Sequence, residues 1–186
     1  MSDGVNTKVM QSRRALTDAL ISLMDEQPYA KITVQDICSR AGVSRQTFYN
    51  VCETKEEILR LYLREACEDV LQQVPKEELP TLDGVIQFFS LFMEAYHPVL
   101  QRMIANQLGG IITEGISDVI RTYAVTLLQA DESSERYRYG EAMLTGALSG
   151  MVMLWLSEEK PPAIDKLKLL LRDFLGGNLY PFPEET

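Results

Sequence analysis

Apolar residues recur at helical spacing along almost all of this 186-residue chain, and alternation of apolar and polar residues is nowhere sustained. In a first predicted helix over residues 7–26, Leu16, Leu20 and Leu23 recur every three or four positions, which lines one face of an α-helix. Two short helices flank Gly42, and further helices are predicted at 55–74, 82–96, 98–108, 113–129, 135–157 and 164–175. The sequence therefore predicts an all-α fold.

The net charge is −9, but the acidic residues are concentrated in the C-terminal two-thirds of the chain. Residues 1–64 carry nine Lys and Arg against eight Asp and Glu, whereas residues 65–186 carry nine against nineteen. A near-neutral segment can still present a basic face if its arginines cluster in space. The overall acidity therefore does not exclude DNA as a partner of the N-terminal part.

Several classes of protein are disfavoured. No apolar run approaches the ~20 residues that span a bilayer and no signal peptide begins the chain, so we expect a cytoplasmic protein that binds no membrane. The three cysteines, Cys38, Cys52 and Cys67, are widely spaced, as is typical of reduced thiols. With one His and no CxxC or HExxH motif, we expect neither a metal nor another cofactor. No nucleophile–base pair or phosphate loop indicates an enzyme.

Two short helices joined by Ala41-Gly42-Val43 predict a helix-turn-helix. Thr33 and Asp36 resemble a capping box at the start of the first short helix, and Ser44 can cap the second. Gly42 permits the positive φ that ends a helix. Apolar residues fall where the two helices must contact each other: Val34, Ile37, Ala41, Val43, Phe48 and Val51. Because isolated helices this short are marginal in water, we expect these contacts to hold them.

The second short helix is left with a polar outward face. That face carries Arg45, Gln46, Thr47, Tyr49 and Asn50. Arg pairs well with guanine, Gln or Asn with adenine, and hydroxyls with phosphate or bases. A helix in this position after a Gly turn is predicted to enter the major groove of DNA. An ordinary solvated face is the alternative.

The stretch ITVQDICSRAGVSRQTFYNVCETKEEIL also resembles the DNA-binding segment of the TetR family of bacterial transcription regulators. The family pattern is approximately T-x-x-x-I-A-x-x-A-G-V-S-x-x-T-x-Y-x-H-F-x-S-K-x-x-L. The matching residues are Thr33, Ile37, Ala41, Gly42, Val43, Ser44, Thr47, Tyr49, Lys55 and Leu59. The resemblance covers about residues 10–62. It implies a helix-turn-helix domain at residues 1–54 and a helical effector-binding and dimerisation domain at residues 55–186.

The resemblance implies roles for individual residues. Arg45 and Gln46 are the expected base readers, Thr47 and Tyr49 contact the DNA backbone, and Lys55 meets a phosphate at the start of the next helix. The full predicted DNA-binding set is Thr33, Gln35, Ser44, Arg45, Gln46, Thr47, Tyr49, Asn50 and Lys55. The chain departs from the family where His-Phe becomes Val51-Cys52. A redox role for Cys52, whose pKa a nearby helix start would lower, is one interpretation, and a space-filling thiol is the other.

The remaining helices are predicted to bind an effector and a second copy of the chain. In the family the last two helices usually pair with their mates, which implies an interface at Gly146, Ala147, Gly150, Leu167, Leu170, Leu171 and Phe174. Bulky side chains are expected to line an effector pocket, namely Phe89, Phe92, Met93, Tyr96, Met103, Tyr123, Met143 and Trp155. For each of them, plain core packing is the alternative.

These observations together favour one function. We expect a homodimeric DNA-binding transcription regulator that represses a gene by binding a palindromic operator and is released by a small-molecule effector. The alternative is a DNA-binding adaptor or activator that acts through a protein partner without any small molecule.

Overall fold

The computed structural model describes residues 3–79 and 81–176, with side chains described from residue 8 onward. These residues contain no strand and eight α-helices, which are α1 (Asp3–Glu26), α2 (Val34–Ala41), α3 (Arg45–Val51), α4 (Lys55–Leu71), α5 (Leu82–Ala105), α6 (Gly109–Leu128), α7 (Glu135–Ser157) and α8 (Ile164–Leu175). Among the residues just given, one 3-10 turn lies at Tyr29–Lys31. The prediction of an all-α fold is confirmed. None of the described helices is long and apolar enough to cross a membrane.

The predicted break at His97-Pro98 is wrong, because α5 runs through Pro98. An interior proline removes one backbone hydrogen bond and crowds the carbonyl group four residues earlier. Met93 and Leu100, on either side of the proline, are both buried. We attribute the continuity of α5 to this burial. The free energy gained by packing these side chains outweighs the local cost of a proline inside the helix.

The next predicted break is present but lies at residues 106–108 rather than at Gly109-Gly110, because these glycines begin α6. The chain turns just before them, where Gln107 adopts a left-handed φ of 63°. The backbone N–H of Leu108 donates to the carbonyl of Met103 across this turn.

The chain forms two compact units. The first contains the described residues up to Glu65 together with Pro98–Ile112, and the second contains Ala66–His97 and the described residues from Thr113 onward. The helices α4, α5 and α6 therefore each contribute residues to both units. The predicted division between residues 54 and 55 separates DNA binding from effector binding and dimerisation, and it stays a prediction.

The core of the first unit is built around α1, α2 and α3. The side chains of Leu16, Leu20, Ile37 and Phe48 are each fully buried, and α4 adds Ile58 and Leu59. Each of these helices contributes its apolar stripe, so the two short helices are held by their neighbours rather than by their own hydrogen bonds.

The core of the second unit is formed by apolar faces of α4 to α8. Its buried side chains include Val70, Met93, Ala124, Val152 and Leu171. The unit also contains an ion pair between Arg172 of α8 and Asp83 of α5, with 2.6 Å between nitrogen and oxygen. Both partners are largely exposed to solvent, so this pair contributes little to stability.

Candidate DNA-binding surface

The first helix of the helix-turn-helix begins and ends at specific local contacts. The Asp36 N–H donates to the Thr33 hydroxyl oxygen at 3.2 Å, and the Thr33 N–H donates to the Asp36 carboxylate at 2.9 Å, which completes a capping box. At the other end Gly42 adopts φ 67° and its N–H donates to the Cys38 carbonyl. Only glycine adopts this left-handed conformation without strain. The predicted cap and turn are confirmed.

Helix α3, the expected recognition helix, is fixed by a cap and an apolar anchor. The Ser44 side chain accepts from the Thr47 N–H at 3.0 Å, and the hydroxyls of these two residues lie 2.9 Å apart. Phe48 is fully buried, and the edge of its ring meets the Tyr49 ring with 5.2 Å between centroids. Because Phe48 points inward, the other side of α3 is forced to face outward.

The outward face of α3 carries the side chains expected to read DNA. Those of Arg45, Gln46, Tyr49 and Asn50 are exposed, and that of Thr47 is half-buried. Arg45 Nη2 donates to Gln35 Oε1 of α2 at 2.7 Å. Gln46 Nε2 donates to Asn50 Oδ1 at 3.1 Å, one helical turn away. Six of the predicted DNA-binding residues, Gln35 and the five on α3, thus lie on one surface, and their contacts with DNA stay a prediction.

Lys55 lies elsewhere and is engaged within the protein. Its Nζ donates to the carbonyl oxygens of Tyr29 at 2.8 Å and Ile32 at 2.9 Å. The same nitrogen lies 4.1 Å from the centroid of the Tyr29 ring, a cation–π distance. Two of its three N–H bonds are therefore already used. These contacts assign Lys55 a structural role, tying the 3-10 turn to α4, that the sequence did not reveal.

Side chains at the start of α4 bind two of the nearby backbone N–H groups. The Glu53 N–H donates to the Glu57 carboxylate at 2.6 Å, and the Glu57 N–H donates to the Thr54 hydroxyl at 3.2 Å. With Glu56, this turn carries acidic side chains that repel a phosphate. These carboxylates weigh against the expected phosphate contact at the start of α4, and that contact stays a prediction.

The Thr33 hydroxyl is similarly engaged, since it donates to the Asp36 carboxylate at 2.6 Å. This hydrogen bond lowers the pKa of Asp36 below its usual value, because it stabilises the charged carboxylate. Thr33 therefore has no hydroxyl hydrogen left to donate to a phosphate while it caps α2. Its structural role in the cap is clear, and its contact with DNA stays a prediction.

Cys52 does not have the lowered pKa that a redox role requires. Its side chain is buried, and this burial, followed by the nearby Glu57 carboxylate, raises the pKa of the thiol to about 11. Burial also raises the pKa of Cys38. The thiolate is the reactive form, so Cys52 is unreactive near neutral pH. Of the two interpretations, the structure supports the space-filling thiol.

The predicted effector-pocket residues do not form a single set. Phe89, Met93 and Trp155 are buried in the second unit, and Phe92, Tyr96 and Tyr123 are half-buried there. Met103 is buried but belongs to the first unit. Met143 is 74% exposed, so the expectation that it faces the core is wrong. Met143 lies on α7 one turn after the exposed Tyr139, so the two side chains share the solvent-facing side of that helix.

The second unit contains two buried polar atoms with no hydrogen-bond partner among the described residues, His97 Nε2 and Ser149 Oγ. The His97 ring meets the Trp155 ring edge-on, with 4.7 Å between centroids. Trp155 Nε1 donates to the Pro162 carbonyl at 2.8 Å. A buried polar group without a partner costs ~1–3 kcal/mol, which a water or a ligand would recover.

The predicted interface residues divide between two sides of α8. Leu167 and Leu171 are buried, so they pack inside the chain and their assignment to the interface is wrong. Leu170 and Phe174 are 45% and 51% exposed. The mistake arose because α8 is apolar on both sides, and composition alone does not show which side meets the rest of the chain.

On α7 the exposed apolar residues form a narrow stripe, which we call the α7 stripe: Tyr139, Met143, Gly146, Gly150 and Leu154. Successive members are three or four residues apart and so share one face of the helix. A Cβ added at Gly146 or Gly150 would have no atom of the chain within 4 Å. Sequence reasoning found Gly146 and Gly150 but missed Tyr139 and Leu154, although their spacing was visible.

Comparison with known proteins is consistent with this architecture. Residues 16–61 match the family model described as bacterial regulatory proteins, tetR family. The matched segment includes the core residues Leu16 and Phe48 and the whole of the surface formed by α2 and α3. The chain is also similar to an uncharacterized HTH-type transcriptional regulator, YxbF, of Bacillus subtilis (strain 168), with 25% identity over 179 residues.

That alignment covers 92% of this chain and 45% of the Bacillus protein, so the chain spans about half the length of this curated relative. A TetR transcriptional regulator from Streptococcus agalactiae 2603V has a similar fold, with a TM-score of 0.56, 20% identity and coverage of 94% of this chain and 99% of that one. A tetR-family regulator from Streptomyces coelicolor gives a TM-score of 0.56, 17% identity, and 87% and 80% coverage. At these identities the solved structures show a shared fold.

Proposed function

We propose that the chain, whose residues 16–61 match the model of the tetR family of bacterial regulatory proteins, is a DNA-binding transcription regulator. The observation that carries the proposal is the polar face of α3, which is exposed because Phe48 is fully buried behind it. A helix held in this way after a glycine turn fits the major groove, where side chains such as Arg45 and Gln46 reach base edges.

We propose that the regulator acts as a homodimer on a palindromic operator. Two recognition helices must reach successive major grooves, about 34–36 Å apart, and a two-fold pair of chains sets that distance. The α7 stripe supports this proposal, as do Leu170 and Phe174 of α8, because exposed apolar surface of this kind marks association sites. The two exposed glycines of the stripe allow another helix to approach closely.

We propose further that a small-molecule effector binds in the second unit. The unsatisfied His97 Nε2 and Ser149 Oγ support this, because each needs a hydrogen-bond partner. A row of aromatic rings on α5 adds apolar surface, with centroids of Phe88 and Phe92 5.9 Å apart and those of Phe92 and Tyr96 5.2 Å apart. An amphipathic ligand with an apolar body and one or two hydrogen-bonding groups suits these side chains.

In this proposal the chain is a repressor, with DNA reading assigned to residues 1–54 and effector binding and dimerisation to residues 55–186. The effector would favour a state in which the spacing of the two recognition helices no longer fits the operator. To shift the population strongly, it must bind that state more tightly than the DNA-bound state by several kcal/mol.

The proposal is tested by sequencing the genomic DNA fragments that the purified protein enriches. We expect a consensus with two-fold symmetry and half-sites about one helical turn apart. A matched control is Arg45→Ala, which leaves the buried core untouched and should weaken the enrichment. If no sequence is enriched over input DNA, the assignment as a DNA-binding regulator fails. If a single half-site without symmetry is enriched, the homodimer fails.

The effector is tested by following the fluorescence of Trp155, the only tryptophan in the chain. We expect fractions of a metabolite extract that shift its emission also to release operator DNA, and His97→Ala to weaken both responses. Operator binding that no fraction releases would contradict the effector and favour a regulator that acts through a protein partner.

A further inference from the structure

The hydrogen bond between Gln35 and Arg45 joins two different helices at the proposed DNA surface. Gln35 lies in the first turn of α2, and Arg45 is the first residue of α3. The Arg45 Nη2 to Gln35 Oε1 distance of 2.7 Å is short for a bond with an N–H donor, which suits a charged one. Both side chains are exposed, so the pair lies on the surface rather than in the core.

The chemistry of the pair determines which atom of Gln35 faces Arg45. A guanidinium group has five N–H donors and no acceptor, so only the amide oxygen of Gln35 can meet it. The amide nitrogen of Gln35, with its two N–H bonds, is therefore directed to other partners. This assignment does not depend on the ambiguity between oxygen and nitrogen that affects an isolated amide.

The pairing changes what each side chain can read. A free glutamine recognises adenine by donating to N7 and accepting from the N6 amino group. With one lone pair of its oxygen bound to Arg45, Gln35 keeps both N–H donors and has less capacity to accept, so it suits acceptor edges such as O6 and N7 of guanine or O4 of thymine. Arg45 uses one N–H for Gln35 and keeps four, which still allows two parallel hydrogen bonds to guanine.

We propose that Gln35 is a specificity-determining positioning residue, which holds the Arg45 guanidinium from α2 so that the two side chains together select guanine at the position that Arg45 reads. This inference rests on the proposed function. An arginine alone samples many rotamers and loses that freedom when it binds, whereas a guanidinium already held in place loses less. Gln35 thus acts mainly through Arg45.

The neighbouring pair provides a matched control. Gln46 and Asn50 also form an exposed amide contact, at 3.1 Å, but both lie on α3 and neither is hydrogen-bonded to the Arg45 side chain. Gln46→Ala therefore removes an exposed glutamine of the same surface without releasing the guanidinium. It should leave the preference at the Arg45 position intact and alter preference elsewhere.

The experiment measures sequence preference with a randomised duplex library at a fixed salt concentration, since affinities for DNA depend strongly on salt. The guanine ratio at a position is the affinity for sites with guanine there relative to sites with another base. The position read by Arg45 is the one at which Arg45→Ala lowers this ratio, by about 5- to 150-fold. Gln35→Ala should lower the same ratio by about 2- to 10-fold, the usual size of one hydrogen-bond contribution. Gln46→Ala should change it by less than about 2-fold.

Two further variants separate positioning from direct reading. In an Arg45→Ala background, Gln35→Ala should have no additional effect on the guanine ratio, because a positioning residue acts through its partner. Gln35→Glu retains an oxygen that accepts from Arg45, so it should keep most of the guanine ratio while its charge weakens affinity for every sequence. A purely structural defect would lower all affinities without changing any ratio.

The outcomes distinguish this inference from the proposed function. If the wild-type chain enriches no sequence, the proposed function fails and the inference fails with it. If the wild-type chain enriches a site, two results overturn only the positioning role. In one, Gln35→Ala leaves the guanine ratio unchanged. In the other, Gln35→Ala lowers that ratio equally in the presence and absence of Arg45. If Gln35→Ala lowers the guanine ratio and Gln35→Glu retains it, the positioning role of Gln35 is supported.

Discussion

Replacing Gly150 with leucine should stabilise the isolated chain and weaken its dimer at the same time. Gly150 is exposed within α7, and an added Cβ would have no atom of the chain within 4 Å. A glycine inside a helix is less favourable than a good helix former by ~0.5–1 kcal/mol, so Gly150→Leu should raise the stability of the monomer by about that amount.

In the dimer the sign reverses. If the α7 stripe is the interface, the leucine side chain fills space that the partner helix occupies, and overpacking of this kind costs ~1–3 kcal/mol. A two-fold interface places the substitution at two sites, so the total reaches ~2–6 kcal/mol. At ~1.4 kcal/mol for each tenfold change, the dissociation constant of the dimer should rise by about 30-fold to four orders of magnitude.

Sedimentation velocity from nanomolar to micromolar concentration measures this change. Gly110→Leu is the matched control, because Gly110 is also an exposed helical glycine with no atom within 4 Å of an added Cβ, but it lies on α6. We expect the control to dissociate like the wild type. A Gly150→Leu chain that stays as dimeric as the control refutes the assignment of the α7 stripe to the interface. A Gly150→Leu monomer less stable than the wild type refutes the reading of Gly150 as unpacked.

Three substitutions and one labelling experiment test the first unit. Lys55→Met should lower the free energy of unfolding in urea by ~1–3 kcal/mol, because the carbonyls of Tyr29 and Ile32 lose a charged donor, and a variant as stable as the wild type would contradict this role. Phe48→Ala should cost ~3–5 kcal/mol in the same assay, since the side chain is fully buried, and a loss under half of that would mean a looser core. Arg40 lowers the pKa of Glu26 below 4.5, so their pair stabilises the fold above that pH and its contribution is lost as the pH falls further. Glu26→Gln should therefore flatten the acid side of a plot of Tm against pH, and an unchanged curve would count against the pair. Cys52, with a pKa of about 11, should react slowly with a thiol reagent at pH 8 until the protein is unfolded, and rapid labelling mapped to its peptide would contradict its burial.

Local signals were sufficient to predict the helix-turn-helix. The capping box of Thr33 and Asp36, the left-handed Gly42 and the Ser44 cap each depend on contacts within five residues along the chain. The free energies of caps and turns come from these near neighbours, so a sequence reports them directly. The burial of Phe48 followed from the same spacing, and with it the polar outward face of α3.

The same local reasoning failed where distant parts of the chain compete with it. Pro98 is a strong local signal for a helix end, yet α5 continues through it with buried apolar residues on both sides. Cys52 lies near a helix start, which by itself would lower its pKa, but burial has the larger effect and raises it. In both cases the energy of tertiary packing exceeds the local preference.

By itself, the sequence determined the helical class, the caps and the polar face of α3, because helical periodicity and capping are properties of residues one or two turns apart. Only the tertiary structure decided that Lys55 reaches back 26 residues to the Tyr29 carbonyl and that Gln35 meets Arg45 across two helices. It also decided that Leu171 of α8 is buried while Leu170 is exposed. Contacts between helices depend on the angle and register at which they cross, and these are set by the packing of whole side-chain surfaces, which leave no fixed spacing in the sequence.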